Sequence, residues 1–416
     1  MANIHEKDRG YALLRYYVDF IFRSAYRRIA FHGKEKIPQD GAVIYACNHS
    51  NTLMDALAIL AINKTAKVFV ARADVFKHPT ILKVLTFLKM LPIHRMRDGK
   101  ESLAKNEKIN DIAVDTLKNK VPFVILPEGT HRAMHSIMPL QKGLFRIALQ
   151  ANDTFGDQMP VYIVPVGIEF GHFFRYRSSL LVQIGGAINV TQFVSQHPDL
   201  AVPEQMNALR NDLSERLKEL ILHIPDDEHY NATLALAQMN SIQNSLLHRF
   251  EAAKKTVREL TDSLKSKPEE TQPLLAKAAV FSTQRHALGI GISSVLQSHI
   301  GWSIFGRCLF MVVGLPWFLI SAATTSPVTL LSLWLCSRFE DPAFHNTLKF
   351  MILLALFPIL FLLSGALVGV LYSWMWGAVA ALLLLPSFFF LHEYLRAGRL
   401  LISDIKWLLH RKNLTL

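Results

Sequence analysis

The sequence predicts an α/β domain built on a mixed, largely parallel sheet flanked by helices, followed by a helical insert and a C-terminal region of transmembrane helices. Three observations predict it. Between Gly33 and Val194, short β-rich apolar runs alternate with helix-like stretches, the pattern of a sheet covered by helices. From Pro203 to Ile300 the chain turns polar and charge-mixed, punctuated by Pro225, Pro268 and Pro273. Beyond Gly301 it becomes strongly apolar, and Phe350 to Leu371 is an uncharged run of spanning length, since about 20 helical residues cross a bilayer.

The elements follow in order. Residues 1–32 are expected to form an amphipathic interfacial helix. Arg15, Asp19, Arg23 and Arg27 recur at i+4 on one face, with Leu14, Val18, Ile21, Phe22 and Tyr26 elsewhere, so a basic face meets the bilayer interface. In the α/β domain, residues 33–200, strands are expected at Ala42–Cys47, Ala66–Ala71, Val121–Leu126, Val161–Ile168 and Leu180–Gly185. Helices are expected at Leu53–Asn63, Val75–Leu91, Glu101–Lys118 and Leu144–Gln150. Residues 201–300 form a helical connector. Residues 301–416 hold the membrane helices and a basic tail. Phe350–Leu371 and Trp374–Leu391 are two spans, and the shorter Cys308–Ala323 and Val328–Cys336, joined by a Thr324-Thr-Ser-Pro327 turn, are compatible with a hairpin that either spans or re-enters the bilayer.

Charge and cysteine content narrow the partners. Lys and Arg number 45 against 33 Asp and Glu, a formal +12. Together with the apolar runs this favours a phospholipid bilayer and anionic substrates. No nucleic acid is expected as a partner, because the basic residues form no stripe. Cys47, Cys308 and Cys336 are far apart and mark neither a disulfide framework nor a zinc site. The N-terminus lacks the uncharged core of a signal peptide. Arg338 and Lys349 lie between the two pairs of runs, and five Lys or Arg residues follow the last. Positive-inside logic therefore sets the catalytic domain and both termini on the cytoplasmic side, with an even number of crossings.

Four blocks carry chemistry. The strand Ala42–Cys47 runs into Asn48-His49-Ser50-Asn51-Thr52, and Asp55 follows in an apolar segment. A histidine at a strand end acts as general base when a carboxylate fixes its tautomer. Leu91-Pro-Ile-His-Arg95-Met-Arg97 delivers two guanidinium groups. Val121–Pro127 leads into Glu128-Gly129-Thr130-His131-Arg132, where turn N–H groups and the Arg132 fork suit a phosphate. Ile163-Val-Pro165-Val-Gly167-Ile168 is an apolar strand broken by Pro and Gly, suited to an acyl or pantetheine path. Arg72 either enters the site or caps a strand. His131 and His135 stand at i and i+4, but no helix start or third ligand accompanies them, so no metal is expected.

In this order the blocks resemble the glycerophospholipid acyltransferase family, of the glycerol-3-phosphate and 1-acylglycerol-3-phosphate acyltransferase type, over roughly Gly33 to Val190. The resemblance implies an acyltransferase fold and a catalytic His49, which deprotonates an acceptor hydroxyl as it attacks a fatty-acyl thioester, with Asp55 orienting it. It assigns the acceptor phosphate to Arg95, Glu128, Gly129 and Thr130, with Lys142 a further ligand. Glu128, an acceptor-only group when ionised, fits a hydroxyl or a cation better than a phosphate. No cofactor is implied beyond acyl-CoA or acyl-ACP as co-substrate, which makes acyl carrier protein an expected partner. One departure stands out: five residues separate His49 from Asp55 where the family's usual block has four. One residue turns a helix by about 100°, so the pair works only if Ser50–Thr52 absorb the step before the helix starts. A subset resembling fungal-type glycerol-3-phosphate acyltransferases shares the longer spacing and an apolar tail. The expected reaction is therefore acylation of glycerol 3-phosphate. Lysophosphatidate is the alternative acceptor, lysophospholipid remodelling is a third reading, and a non-catalytic lipid-binding membrane protein is the different-class rival.

Overall fold

The computed structural model describes residues 4–6, 8–94, 101–241 and 245–414. The chain divides into two compact units, Met1–Ile221 and Leu222–Leu416. The first runs α1 (Arg9–Ser24), β1 (Tyr26–His32), β2 (Ala42–Cys47), α2 (Leu53–Leu60), β3 (Val68–Arg72), α3 (Pro79–Phe87), β4 (Met90–Ile93), α4 (Glu101–Lys118), β5 (Phe123–Ile125), α5 (Gly143–Phe155), β6 (Val161–Phe170), β7 (Ser178–Ile184), β8 (Ile188–Asn189), α6 (Val190–Gln196) and α7 (Val202–Leu220).

The strands form one sheet in the order β1-β7-β6-β2-β5-β3-β4, with β8 paired to β6. Pairings of β2 with β5 and β6, of β3 with β4 and β5, and of β1 with β7 are parallel, whereas β7 and β8 run antiparallel to β6. The mixed, largely parallel sheet is thus as predicted. β2 is buried at all six positions, as its unbroken Ala-Val-Ile-Tyr-Ala-Cys run requires of a strand covered on both faces. Because β2, β3, β4 and β5 run the same way, their carboxyl ends share one edge, where ligands bind in open α/β sheets.

Four expectations are corrected by the structure. The predicted helix across residues 1–32 stops at Ser24, and β1 pairs along β7 instead. Of the charged stripe, Arg15 and Asp19 face inward, whereas Arg23 stays exposed and Arg27 falls in β1. Arg15 donates to the Leu60 and Asn63 carbonyls and Arg23 to Ala61, at the carboxyl end of α2, where orphan carbonyls and the helix dipole favour cations. Leu13, 75% exposed, and Tyr16 and Phe20 take the outer side. The Ile163–Ile168 segment offers no acyl path, being buried mid-sheet. Pro165 sits where β7 pairing ends at Val166 and β8 pairing begins at Ile163, so its missing donor faces a gap in the ladder. At Gly167 a Cβ would come within 2.2 Å of the Leu220 carbonyl, so glycine lets α7 close on the sheet. α7 itself, expected in the connector, belongs to the first unit: Leu209, Leu213 and Leu217 join its core at helical spacing.

The second unit holds α8 (Tyr230–Met239), α9 (Leu246–Ser266), α10 (Pro268–Ala287), α11 (Ile292–Val295), α12 (Ile300–Cys336), α13 (Ala343–Leu371) and α14 (Trp374–His410). The last three are long and apolar enough to cross a membrane. The expected turn at Thr324–Pro327 is absent, because α12 runs through it. Pro327 deprives the Ala323 carbonyl of its helical donor, and the Ser326 hydroxyl replaces it at 2.9 Å. Thr325 and Thr329 bond back to Ser321 and Thr325 in the same way. Satisfied internally, the segment stays helical. The four apolar runs become three helices, and an even number of crossings no longer follows.

Candidate active site

At the carboxyl end of β2, the Asn48 side chain continues the ladder toward β6. Its Nδ2 donates to the Ile168 carbonyl at 3.0 Å, and its Oδ1 accepts from the Ile168 N–H at 2.8 Å. The chain then turns through Ser50–Thr52, and α2 opens at Leu53. Thr52 adopts φ 43° and ψ −121°, a conformation that costs a non-glycine residue about 1–3 kcal/mol. The extra residue between His49 and Asp55 therefore lies in the turn, and Asp55 falls in the first helical turn. Its Oδ2 meets His49 Nδ1 at 2.8 Å and accepts the Ser50 and Asn51 N–H groups at 2.9 and 2.7 Å. Asp55 is fully buried and the His49 side chain is 18% exposed. Carboxylate contact at Nδ1 fixes the proton there and leaves Nε2 as the basic nitrogen.

Glu128 supports this turn from β5. It is buried, and its two oxygens accept the His49 N–H at 2.8 Å and the Met138 N–H at 3.1 Å. Burial pushes its carboxyl up to about 7, against the opposing pull of those two N–H donors and of His49. The Arg132 N–H closes the connection by donating to the His49 carbonyl at 3.1 Å. Both backbone groups of His49 are thus held by the Glu128–Arg132 segment. Gly129, at φ 70°, makes the bend.

The remaining sequence-derived residues divide. Gly129 and Thr130 are exposed beside the turn. The Arg132 guanidinium bonds the Ser136 hydroxyl. Lys142 is exposed at the start of α5. Arg72, at the end of β3, pairs with Asp74 and is exposed. Arg95 lies outside the described residues. Cys47 is buried, and burial pushes its thiol well up, which suits a strand residue and not a nucleophile.

Sequence reasoning missed several members. The His131 ring lies edge-on to His49 at 5.7 Å. His135 Nδ1 meets Glu169 at 3.0 Å, and no helix holds the two histidines together. Asn51 donates to the Phe173 carbonyl. The Gly-Thr-His run and the Ser50-Asn51 pair were the only available signals. Backbone partners leave no residue-type trace.

A buried carboxylate aligning a partly exposed histidine, on the carboxyl edge of a largely parallel sheet, forms a candidate acid–base site. The family comparison bears on the same segment. The family model described as Acyltransferase matches residues 28–169. A coconut (Cocos nucifera) 1-acyl-sn-glycerol-3-phosphate acyltransferase is 29% identical over 140 residues, 34% of this chain and 41% of its own length. The chain thus spans about two-fifths of that curated relative. The crystal structure of the 1-acyl-sn-glycerophosphate acyltransferase PlsC from Thermotoga maritima is similar at 21% identity, with a TM-score of 0.37, covering 51% of this chain and 81% of that one. The matched family segment thus lies within the α/β unit and includes His49, Asp55 and Glu128.

Proposed function

We propose that this chain is a membrane-bound acyltransferase that moves a fatty-acyl group from a thioester to a hydroxyl of lysophosphatidate. The observation that carries the reading is the 2.8 Å contact between His49 Nδ1 and a fully buried Asp55, within the residues 28–169 that the Acyltransferase family model matches; the acceptor follows the name of the coconut relative. In the proposed mechanism, His49 Nε2 takes the acceptor proton while the hydroxyl oxygen bonds the thioester carbonyl carbon. Collapse of the tetrahedral adduct breaks the C–S bond, and the imidazolium returns the proton to the departing thiolate. Asp55 stabilises the imidazolium without itself gaining the proton. Gly129, Thr130, Arg132, Lys142 and Arg95 would receive the acceptor phosphate. Arg72 would join them only on leaving Asp74. Glu128 acts as a brace for His49 in this reading and touches no substrate.

The name of the relative moves the acceptor from glycerol 3-phosphate, expected from the spacing, to lysophosphatidate. The five-residue spacing keeps glycerol 3-phosphate as the second reading. Full-length protein in detergent, given labelled acyl-CoA and each acceptor in parallel, tests both. Product with lysophosphatidate supports the proposal. Product with glycerol 3-phosphate alone selects the second reading. No product from either, with acyl-CoA or acyl-ACP, overturns both and favours a non-catalytic lipid-binding protein.

A further inference from the structure

Among the described residues of the α/β unit, exposed large hydrophobic side chains concentrate on α3. This nine-residue helix contains no buried residue. Ile81, Leu82, Val84 and Phe87 are exposed, as is Val75 just before it, and together they present a few hundred Å² of apolar surface, a size that marks an interaction site. A helix this short does not persist in water on propensity alone and needs its apolar face covered. α1 adjoins it through the edge-on contact of Tyr11 and Phe87 at 6.3 Å and adds Leu13, Tyr16 and Phe20, exposed because its charged stripe caps α2. Lys77 and Lys83 on the α3 side, and Arg9 on the α1 side, are exposed. Nearby acids are committed: Asp74 to Arg72, and Asp8 to the amino end of α1.

We infer that α3, flanked by the outer face of α1, seats the α/β unit in the interfacial layer of a bilayer containing anionic lipid. Apolar side chains surrounded by lysines and arginine suit acyl chains beneath anionic headgroups. The occupant is a membrane because the same chain carries three helices of spanning length. α3 follows the carboxyl end of β3, on the edge of the sheet that holds His49, so this seating brings that edge to the lipid surface. Only this last consequence rests on the acyltransferase reading.

The test uses full-length protein carrying Cys308→Ser and Cys336→Ser, reconstituted in bilayers with anionic lipid. Single cysteines replace Ile81, Val84, Phe87 and, as a control on α7, Glu215, and each is spin-labelled. Labels at positions 81, 84 and 87 should collide preferentially with oxygen, and the label at 215 with a water-soluble nickel chelate. Nickel-dominated collisions at all four positions overturn the proposal. Spin–spin broadening at 84 and 87 that vanishes on dilution with unlabelled protein assigns the face to a second copy and also overturns it. In a parallel assay, Leu82→Asp with Val84→Asp should slow acylation of a long-chain acceptor in anionic vesicles by about tenfold or more, while a short-chain soluble acceptor is acylated as before. Equal loss on both acceptors at an unchanged thermal midpoint counts against it. Inactive wild-type protein indicts the catalytic reading alone, since the collision data still decide the surface.

Discussion

Asp55 and Asp19 are both buried carboxylates of the α/β unit, and they are satisfied in opposite ways. Asp55 directs one oxygen at three donors of a single turn, two of them backbone N–H groups. Asp19 is surrounded by movable cations: Arg23 Nε at 3.0 Å, Lys64 Nζ at 3.1 Å and Arg15 at 3.7 Å. Burial works to raise its pKa, but hydrogen bonds from Arg23 and Lys64 outweigh it and hold the carboxyl below its usual range. Backbone donors cannot swing away, so they define a direction. Long cationic side chains supply charge and tolerate reorientation. The first arrangement serves geometry, the second stability.

The largest effect should come from breaking the directional site. His49→Ala and Asp55→Asn should each lower kcat about 10³-fold or more, with thermal midpoints near wild type for His49→Ala. Retained turnover in labelled acyl-CoA assays would reassign the base. Asp19→Asn should instead leave kcat unchanged and cost about 1–3 kcal/mol of stability, because it uncouples a buried charge cluster. Chemical denaturation reads that cost, and a drop in kcat at full folding would erase the contrast between the two sites.

Glu128→Gln probes the brace of His49. A carboxyl with a folded-state pKa of about 7, against 4.5 for the ordinary group, binds its proton more tightly in the fold than in the unfolded chain. Its contribution is fully present below about 4.5 and is lost as pH rises through about 7. The glutamine variant should therefore show a flatter decline in thermal midpoint across that window, and an unaltered profile would exclude Glu128 as its source. The smallest effect belongs to Thr52→Gly. Relief of the strained φ offsets the added chain entropy, so stability should stay within about 1 kcal/mol while a looser turn lowers kcat several-fold. An unchanged kcat would mean that the donors to Asp55 hold the turn unaided.

Residue types and their order made the central strands and the His49–Asp55 relation legible. Apolar runs announced β2, β5 and β6, and the spacing itself demanded that Ser50–Thr52 lie outside the helix. What escaped reading shares a physical cause. Arg15 turns inward because it meets α2 carbonyls, Glu128 is a brace because it meets two N–H groups, and Ser326 rescues a helix by filling a carbonyl. In each case the partner is backbone, which every residue carries and no letter reveals. β1 was hidden likewise, since only pairing with β7 makes Tyr26–His32 a strand.

The division at Ile221 has an optical consequence. All six tryptophans, Trp302, Trp317, Trp334, Trp374, Trp376 and Trp407, belong to the second unit. Intrinsic indole emission therefore arises wholly from the helical unit. A tyrosine or circular-dichroism signal that moves while indole emission holds steady would register the loss of the His49 turn by itself.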